Sequence, residues 1–156
     1  MKIKKISIEY LITTFFGCGY FPIASGTFAS LVALIPLLFV NAEFHYLFFP
    51  ISVILTIVSI PLIKKVEKEI GDDPNIIVID EVIGVWLIFS SPIIYFNWIN
   101  VLIGIALFRF FDIIKPGIIS KINNKRGAVY VLLDDIVAAL FTSAILHLVN
   151  LYLIFC

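Results

Sequence analysis

The sequence is poor in cysteine, histidine and charged residues. It has two cysteines and two histidines, and 14% of its 156 residues are charged. Cys18 and Cys156 are too few for a disulfide framework or a cysteine-bound metal. His45 and His147 fall in apolar segments, and we expect both to be bystanders. Any metal site in this chain is therefore expected to use oxygen ligands.

Neither sign of charge is in excess. The 11 Lys and Arg residues balance 11 Asp and Glu residues, so no nucleic-acid surface is expected. Glu9 interrupts the apolar stretch near the N-terminus, so we do not expect a secretory signal. The chain also lacks an internal repeat, which argues against the matched halves of many transporters.

Apolar side chains are what the sequence has in abundance. Hydrophobic residues make up 62% of the chain, and its mean hydropathy is +1.12. Ordinary soluble domains are about 45–50% apolar. The length suits one compact unit. We therefore expect an integral membrane protein that forms a single domain over residues 1–156.

The apolar residues divide the chain into helical segments. Residues 3–16 predict a short interfacial helix, and residues 17–27 predict a loop because glycine and proline are frequent there. Five apolar helical segments follow, at residues 28–40, 44–63, 76–96, 101–114 and 129–155. Asp73 and Pro74 predict the N-cap and first position of the third of these segments. The predicted fold is therefore all-α and multi-helical.

Basic residues concentrate at the N-terminus, at residues 64–68 and at residues 115–126. By the positive-inside rule, all three regions face the cytoplasm. With five crossings, the 17–27 loop lies on the cytoplasmic side. The charged residues at 72–81, 109–115 and 134–135 then lie at the cytoplasmic ends of their segments. The sequence carries no sign of an oligomeric state.

Three charged islands interrupt the apolar segments: Asp80-Glu81, Arg109–Asp112–Lys115 and Asp134-Asp135. A carboxylate at the bilayer centre costs roughly 2.5–3.5 kcal/mol, so exposing all these acids to lipid would cost on the order of 10 kcal/mol. That cost is comparable with the stability of a whole domain. We therefore expect the acids to meet each other, a cation or water.

The islands supply ligands for a divalent cation. Carboxylates without histidine or cysteine suit Mg²⁺ or Mn²⁺, and Mg²⁺ commonly binds together with a substrate phosphate. Adjacent helical residues point about 100° apart. One member of each acid pair can therefore bind the metal while the other orients it, and the sequence leaves open which one.

The same regions supply groups that bind anions. Arg109, Asp112 and Lys115 share one helix face, and two cations around one acid suit an anionic ligand. Gly26 and Thr27 lie where a helix begins after the 17–27 loop, so backbone N–H groups there can bind a phosphate.

These residues belong to four blocks of sequence, at 16–31, 73–84, 108–116 and 134–139. In their order and content the blocks resemble the bacterial phosphatidylglycerophosphatase A family. The chain departs from the family at Ser25 and Ile118, where proline is usual. The resemblance implies Mg²⁺-dependent hydrolysis of phosphatidylglycerophosphate to phosphatidylglycerol and phosphate. It also implies a location in the bacterial cytoplasmic membrane, with the active site at the cytoplasmic face, and a role in phospholipid synthesis.

On this interpretation the predicted catalytic residues are Asp80, Glu81, Asp134 and Asp135, and these four with Asp112 are the predicted metal ligands. Asp80 and Asp134 are the leading ligands, and Asp135 is the leading general base. The predicted phosphate-binding residues are Arg109, Lys115, Gly26 and Thr27. An aspartyl-phosphate intermediate is an open variant of this mechanism.

Other interpretations compete with this one. A buried ion pair with Arg109 would explain Asp80 and Glu81 without catalysis, and acids near a helix start would explain Asp134 and Asp135. Gly84 fits close helix packing better than chemistry. A small ion transporter would also use intramembrane carboxylates. Among lipid phosphatases, the metal-independent class is excluded because its set of histidines is missing.

Overall fold

The computed structural model describes residues 7–155, and every regular element within that range is helical. The predicted all-α class is therefore confirmed. Eight α-helices and two 3₁₀ helices are present in these residues. They are α1 Ile8–Thr13, the 3₁₀ helix Cys18–Tyr20, α2 Ser25–Val32, α3 Leu34–Phe39, the 3₁₀ helix Ala42–Leu47, α4 Phe48–Ile70, α5 Ile79–Phe89, α6 Trp98–Ile114, α7 Ile118–Asn123 and α8 Ala128–Phe155.

Two helical stretches are long and apolar enough to cross a membrane, judged by length and composition. They are Ala42–Ile70 and Ala128–Leu153, while Ser25–Phe39 is apolar but shorter. The predicted set of five apolar crossings is therefore not confirmed over residues 7–155. The predicted interfacial helix is seen only as α1, and its residues 3–6 lie outside the described part, as do the N-terminal lysines and Cys156.

The third predicted segment, residues 76–96, was wrong as a single helix. α5 covers only 11 residues and ends before Ser90, whose hydroxyl donates to the carbonyl of Leu87. Pro92 follows two residues later and cannot continue a helix. The helix also begins after Asp73 and Pro74, so the prediction that they are its N-cap and first position was wrong. Val78 occupies the N-cap position instead.

The segment before α5 is buried but not helical, because its backbone bonds to another part of the chain. The N–H of Val78 donates to the carbonyl of Thr13 at 2.9 Å. Gly19 lies so close to Ile76 that a Cβ on that glycine would overlap the Ile76 carbonyl. These contacts fix the end of α1 and the loop that contains Gly19 against the chain leading into α5.

α5 is the centre of the helical bundle and packs against α2, α4, α6 and α8. Its contact with α6 is reciprocal: the Phe108 ring lies over Gly84, and the Phe89 ring lies over Gly104. A Cβ on Gly84 would come within 2.5 Å of the Phe108 ring. The packing role predicted for Gly84 is therefore confirmed.

The remaining helices agree with the sequence in varying degrees. α6 and α8 begin within three residues of their predicted starts, and α6 ends at Ile114 as predicted, with Lys115 as its C-cap. α4 runs seven residues beyond the predicted end, to Ile70. The short helix α7 was not predicted, and it places residues 118–123 against the start of α8.

Candidate active site

A cavity of about 740 Å³ collects the three charged islands. Its walls come from α5, α6 and α8, from the loop that leads into α2, and from the chain that leads into α5. The charged residues that line it are Asp73, Asp80, Glu81, Arg109, Asp112, Lys115, Asp134 and Asp135. Acids that are distant in sequence therefore meet in one place, as predicted.

Three of the acids form a tight group, which we call the carboxylate cluster: Asp80, Glu81 and Asp135. One oxygen from each lies within 4.8 Å of the others. Three buried carboxylate oxygens in this cluster have no hydrogen-bond partner among the described residues: Asp80 Oδ1, Glu81 Oε2 and Asp135 Oδ2. Two like charges about 5 Å apart repel by roughly 3 kcal/mol at an effective dielectric of 20. The cluster is thus short of positive charge.

Arg109 lies beside this cluster and carries donors that are available for a ligand. Its Nη1 atom is 2.7 Å from Asp112 Oδ2 and 3.6 Å from Glu81 Oε1. Its Nε atom is buried and has no hydrogen-bond partner in the described part of the chain. The guanidinium therefore forms ion pairs with two acids, while its Nε and Nη1 atoms have no hydrogen-bond partner among the described residues.

Lys115 is the second cation of the cavity, and three groups hold its ammonium. It donates to Asp134 and to Asn123, the latter at 2.6 Å, and it lies 3.9 Å from Asp112. Burial alone would lower the pKa of Lys115, but the hydrogen bond to Asp134 and the nearby acidic charges outweigh it, so the pKa is raised. Lys115 is therefore charged at neutral pH.

The structure separates the two members of the second acid pair. Asp135 belongs to the carboxylate cluster, whereas Asp134 is bound to Lys115. The sequence had favoured Asp134 as a metal ligand and Asp135 as a general base. The geometry instead favours Asp135 as the ligand. Asp112 bridges Arg109 and Lys115 and is outside the cluster.

The start of α2 also lines the cavity, through Ala24, Ser25 and Gly26. A Cβ on Gly26 would overlap Glu81 Oε1 and lie 3.1 Å from Arg109 Nη1. Only glycine therefore allows α2 to approach the cluster this closely. Thr27, which was also predicted to bind phosphate, does not line the cavity.

Strained backbone is concentrated around the cavity. Five non-glycine residues in the described chain have positive φ, and three of them line the cavity: Ala24 at 50°, Asp73 at 44° and Lys115 at 48°. This conformation costs roughly 1–2 kcal/mol for a residue with a Cβ. Such strain persists where the surrounding structure imposes it, often at functional sites.

Asn123 is a site residue that the sequence did not reveal. It lies on α7, within the region interpreted only as a basic loop. The spacing of Ile118, Ile119 and Ile122 is the signal that could have predicted this short amphipathic helix. Neither histidine lines the cavity: His45 bonds to backbone carbonyls, and His147 bonds to Ser91.

Comparisons with known proteins bear on what this cavity does. A family model described as "PgpA: Phosphatidylglycerophosphatase A" matches residues 11–150. The chain is 31% identical to phosphatidylglycerophosphatase A of Escherichia coli K12, over 96% of this chain and 87% of that protein. It is 30% identical to phosphatidylglycerophosphatase A of Haemophilus influenzae, over 97% of this chain and 96% of that protein.

A further relative carries a different name. The chain is 35% identical to a protein of Bacteroides thetaiotaomicron provisionally named phosphatidylinositol-3-phosphatase, over 86% of this chain and 89% of that protein. Both names describe removal of a phosphate from a phospholipid head group. No solved structure matches the chain significantly.

Proposed function

The chain belongs to the phosphatidylglycerophosphatase A family, and from this premise we propose that it is a Mg²⁺-dependent lipid phosphatase. Its substrate is phosphatidylglycerophosphate, and its products are phosphatidylglycerol and phosphate. The observation that carries the proposal is the juxtaposition, in one cavity, of two cations and three carboxylates, each of which has one buried oxygen without a hydrogen-bond partner among the described residues. Family membership does not favour the ion transporter.

The carboxylate cluster fits a divalent cation. Three unpartnered buried oxygens need positive charge, and neither Arg109 nor Lys115 fills that need, because their closest contacts are to Asp112 and Asp134. Oxygen-only ligands suit Mg²⁺ or Mn²⁺. Asp80, Glu81 and Asp135 would hold the ion. When bound, it would supply charge to the phosphate oxygens and make a nearby water more acidic.

Arg109 and Lys115 bind the phosphate of the substrate. The Nε–H of Arg109, which has no hydrogen-bond partner in the described residues, can donate to a phosphate oxygen, and guanidinium groups favour paired donation to such oxygens. Lys115 donates to another phosphate oxygen, while Asp134 and Asn123 fix its ammonium. These contacts hold the phosphoryl group in line with an attacking water, which is where most of the catalytic effect of a phosphatase arises.

The acids outside the cluster position the cations. Asp112 forms an ion pair with Arg109 and lies near Lys115, so it fixes the distance between the two groups that bind phosphate. A carboxylate of the cluster takes a proton from the attacking water as the water oxygen bonds to phosphorus. The bond between phosphorus and the glycerol oxygen breaks, and the glycerol oxygen takes up that proton to become the hydroxyl of phosphatidylglycerol. This assignment leaves Asp134 as a positioning residue.

We also propose a location for the reaction. A phospholipid substrate places the cavity at a membrane surface, and two helical stretches of sufficient length and apolar character support a membrane protein. The basic residues at 64–68 and 115–126 favour the cytoplasmic face. The enzyme would then act in phospholipid synthesis at the bacterial cytoplasmic membrane.

Phosphate release from phosphatidylglycerophosphate in detergent tests the proposal. We expect release with Mg²⁺, none with EDTA, and recovery when Mg²⁺ is restored. Asp80→Asn should abolish release while the protein stays folded, and Asp72→Asn, at an exposed acid outside the cavity, should not. Phosphatidylinositol 3-phosphate is the comparison substrate. Faster phosphate release from phosphatidylinositol 3-phosphate would make that lipid the preferred substrate in place of phosphatidylglycerophosphate. No release from either lipid would refute the proposed function.

A further inference from the structure

The exposed rim of the cavity is built from two loops of different chemistry. The loop before α2 contributes Tyr20, Phe21 and Pro22, whose side chains are exposed. The chain before α5 contributes Asp73 and Asn75, which are also exposed. The deeper wall carries charged side chains. A molecule that fills the cavity therefore contacts charged side chains at the bottom and an aromatic surface on one part of the rim.

The aromatic part of the rim continues along an apolar surface of α2 and α3. The Phe21 ring stacks on the Phe28 ring, with centroids 4.2 Å apart and planes at 11°. Beyond Phe28, the exposed residues Leu31, Ile35 and Leu38 recur at helical spacing. We call Phe28, Leu31, Ile35 and Leu38 the apolar stripe.

The stripe stays continuous where the two helices meet. Ala33 joins them with φ of −62° and ψ of −19°, which is helical backbone. From Phe28 to Leu38 the helical rise is about 15 Å, half of the roughly 30 Å hydrocarbon core of a bilayer. The stripe therefore has the length of one leaflet.

We propose that an acyl chain of the bound phospholipid leaves the cavity past Phe21 and lies along the apolar stripe. This proposal rests on the proposed function, since it takes the phosphate end of that lipid to be at Arg109 and Lys115. Three observations select this occupant. The stripe begins at Phe28, which stacks on the cavity-lining Phe21, its chemistry matches a hydrocarbon chain, and its length matches one leaflet. The aromatic rim would thus favour binding of a phosphate ester that carries acyl chains over binding of a water-soluble phosphate ester.

A comparison of two substrates tests the role of Phe21. The Phe21→Ser variant should raise KM roughly tenfold for long-chain phosphatidylglycerophosphate in mixed micelles, because an apolar contact is lost. Its turnover of the deacylated, water-soluble head group should equal that of the wild type, which also shows that the variant is folded. Phe49→Ser is the matched control, because Phe49 is 57% exposed against 45% for Phe21 and lies on α4, away from the rim. It should leave both substrates unaffected.

A spectroscopic experiment tests the stripe directly. Leu31→Trp and Leu102→Trp introduce tryptophan at positions that are 52% and 61% exposed, the second on α6. The probe is a non-hydrolysable phosphonate analogue of phosphatidylglycerophosphate with brominated acyl chains, at low mole fraction in phosphatidylcholine nanodiscs. We expect saturable quenching in Leu31→Trp. Quenching in Leu102→Trp should only follow the mole fraction of the probe, as for bulk lipid.

Several outcomes would overturn the acyl-chain path. One is equal, unsaturable quenching of the two tryptophan variants, and another is an unchanged KM in Phe21→Ser. Loss of turnover on the deacylated and long-chain substrates alike would place Phe21 in the phosphate site instead. A Leu31→Trp signal that follows protein concentration would assign the stripe to a second copy of the chain. The proposed function fails separately, if the wild type releases no phosphate from either substrate.

Discussion

Two adjacent acids on one helix have different partners in this protein. Asp135 faces Asp80 and Glu81, whereas Asp134 binds Lys115. The sequence placed all four acids near one another but could not assign their roles, because neighbouring helical side chains diverge by about 100°. The rotation of α8 about its axis decides which acid enters the cluster, and that rotation is set by packing along the whole helix.

Asp134→Asn tests the assignment of Asp134 to Lys115. A hydrogen bond to a charged group contributes about 1.5–3 kcal/mol, so we expect kcat/KM to fall about 10- to 100-fold, mainly through KM. Cation affinity should be largely unchanged, because Asp134 is outside the cluster. Steady-state kinetics and Mn²⁺ titration measure the two effects separately. Loss of cation binding in this variant would show that Asp134 is itself a ligand.

Ala24→Gly tests whether the backbone at the start of α2 is strained. Ala24 has φ of 50° and is exposed, so glycine relieves strain there without removing a packed side chain. Glycine removes the strain of the folded state, but it also makes the unfolded chain more flexible, which partly offsets this gain. The net effect should be a rise of about 0.5–1 kcal/mol in the free energy of unfolding. Ala106→Gly, at an exposed helical position of α6, should lower it by about 1 kcal/mol. Thermal unfolding of both variants in detergent measures the contrast, and equal shifts would contradict it.

At the scale of elements, the sequence predicted helices that end at strong local signals and missed those governed by tertiary contacts. Lys115, Pro116 and Gly117 ended α6 as predicted, since proline and glycine act locally. The start of α5 was misplaced because the N–H of Val78 bonds to Thr13, so the turn that begins at Pro74 does not continue into a helix. No sequence pattern around Asp73 records that distant bond.

Gly84→Ala tests the reciprocal contact between α5 and α6. The added methyl group would meet the Phe108 ring, which is fully buried, so we expect a loss of about 1–3 kcal/mol in the free energy of unfolding. Combining it with Phe108→Leu should recover part of that loss, because the smaller side chain leaves room. A double-mutant cycle from thermal unfolding gives the coupling. Additive effects would mean that the two residues do not meet.

The attachment of α1 to α4 should depend on pH. The hydrogen bond from Lys65 lowers the pKa of Glu9 to about 2, from 4.5. A lowered pKa in the folded state stabilises the fold fully above pH 4.5, and this stabilisation is lost as the pH falls toward 2. The wild type should therefore lose thermal stability over this interval faster than Glu9→Gln or Lys65→Gln. Parallel curves for all three proteins would refute this contribution.

At the scale of the molecule, the main prediction from the sequence was that distant charges converge, and one cavity does contain all three islands. This was predictable because a charged side chain in an apolar segment is costly to expose to lipid and is therefore expected to meet another charge or water. The number of apolar helices was not predictable from the sequence. Composition shows how long an apolar segment is, but it does not show where tertiary contacts interrupt a helix. The part played by α7 in holding Lys115 was also beyond the sequence, because Asn123 belongs to no charged pattern.

The central claim is that Asp80, Glu81 and Asp135 form one site for a divalent cation. Titration with Mn²⁺, followed by electron paramagnetic resonance of the free ion, tests it most directly, because it requires no substrate. We predict one class of site in the wild type and in Asp72→Asn, and loss of that site in Asp135→Asn. Equal Mn²⁺ binding by the wild type and Asp135→Asn, or no binding by the wild type, would contradict the account.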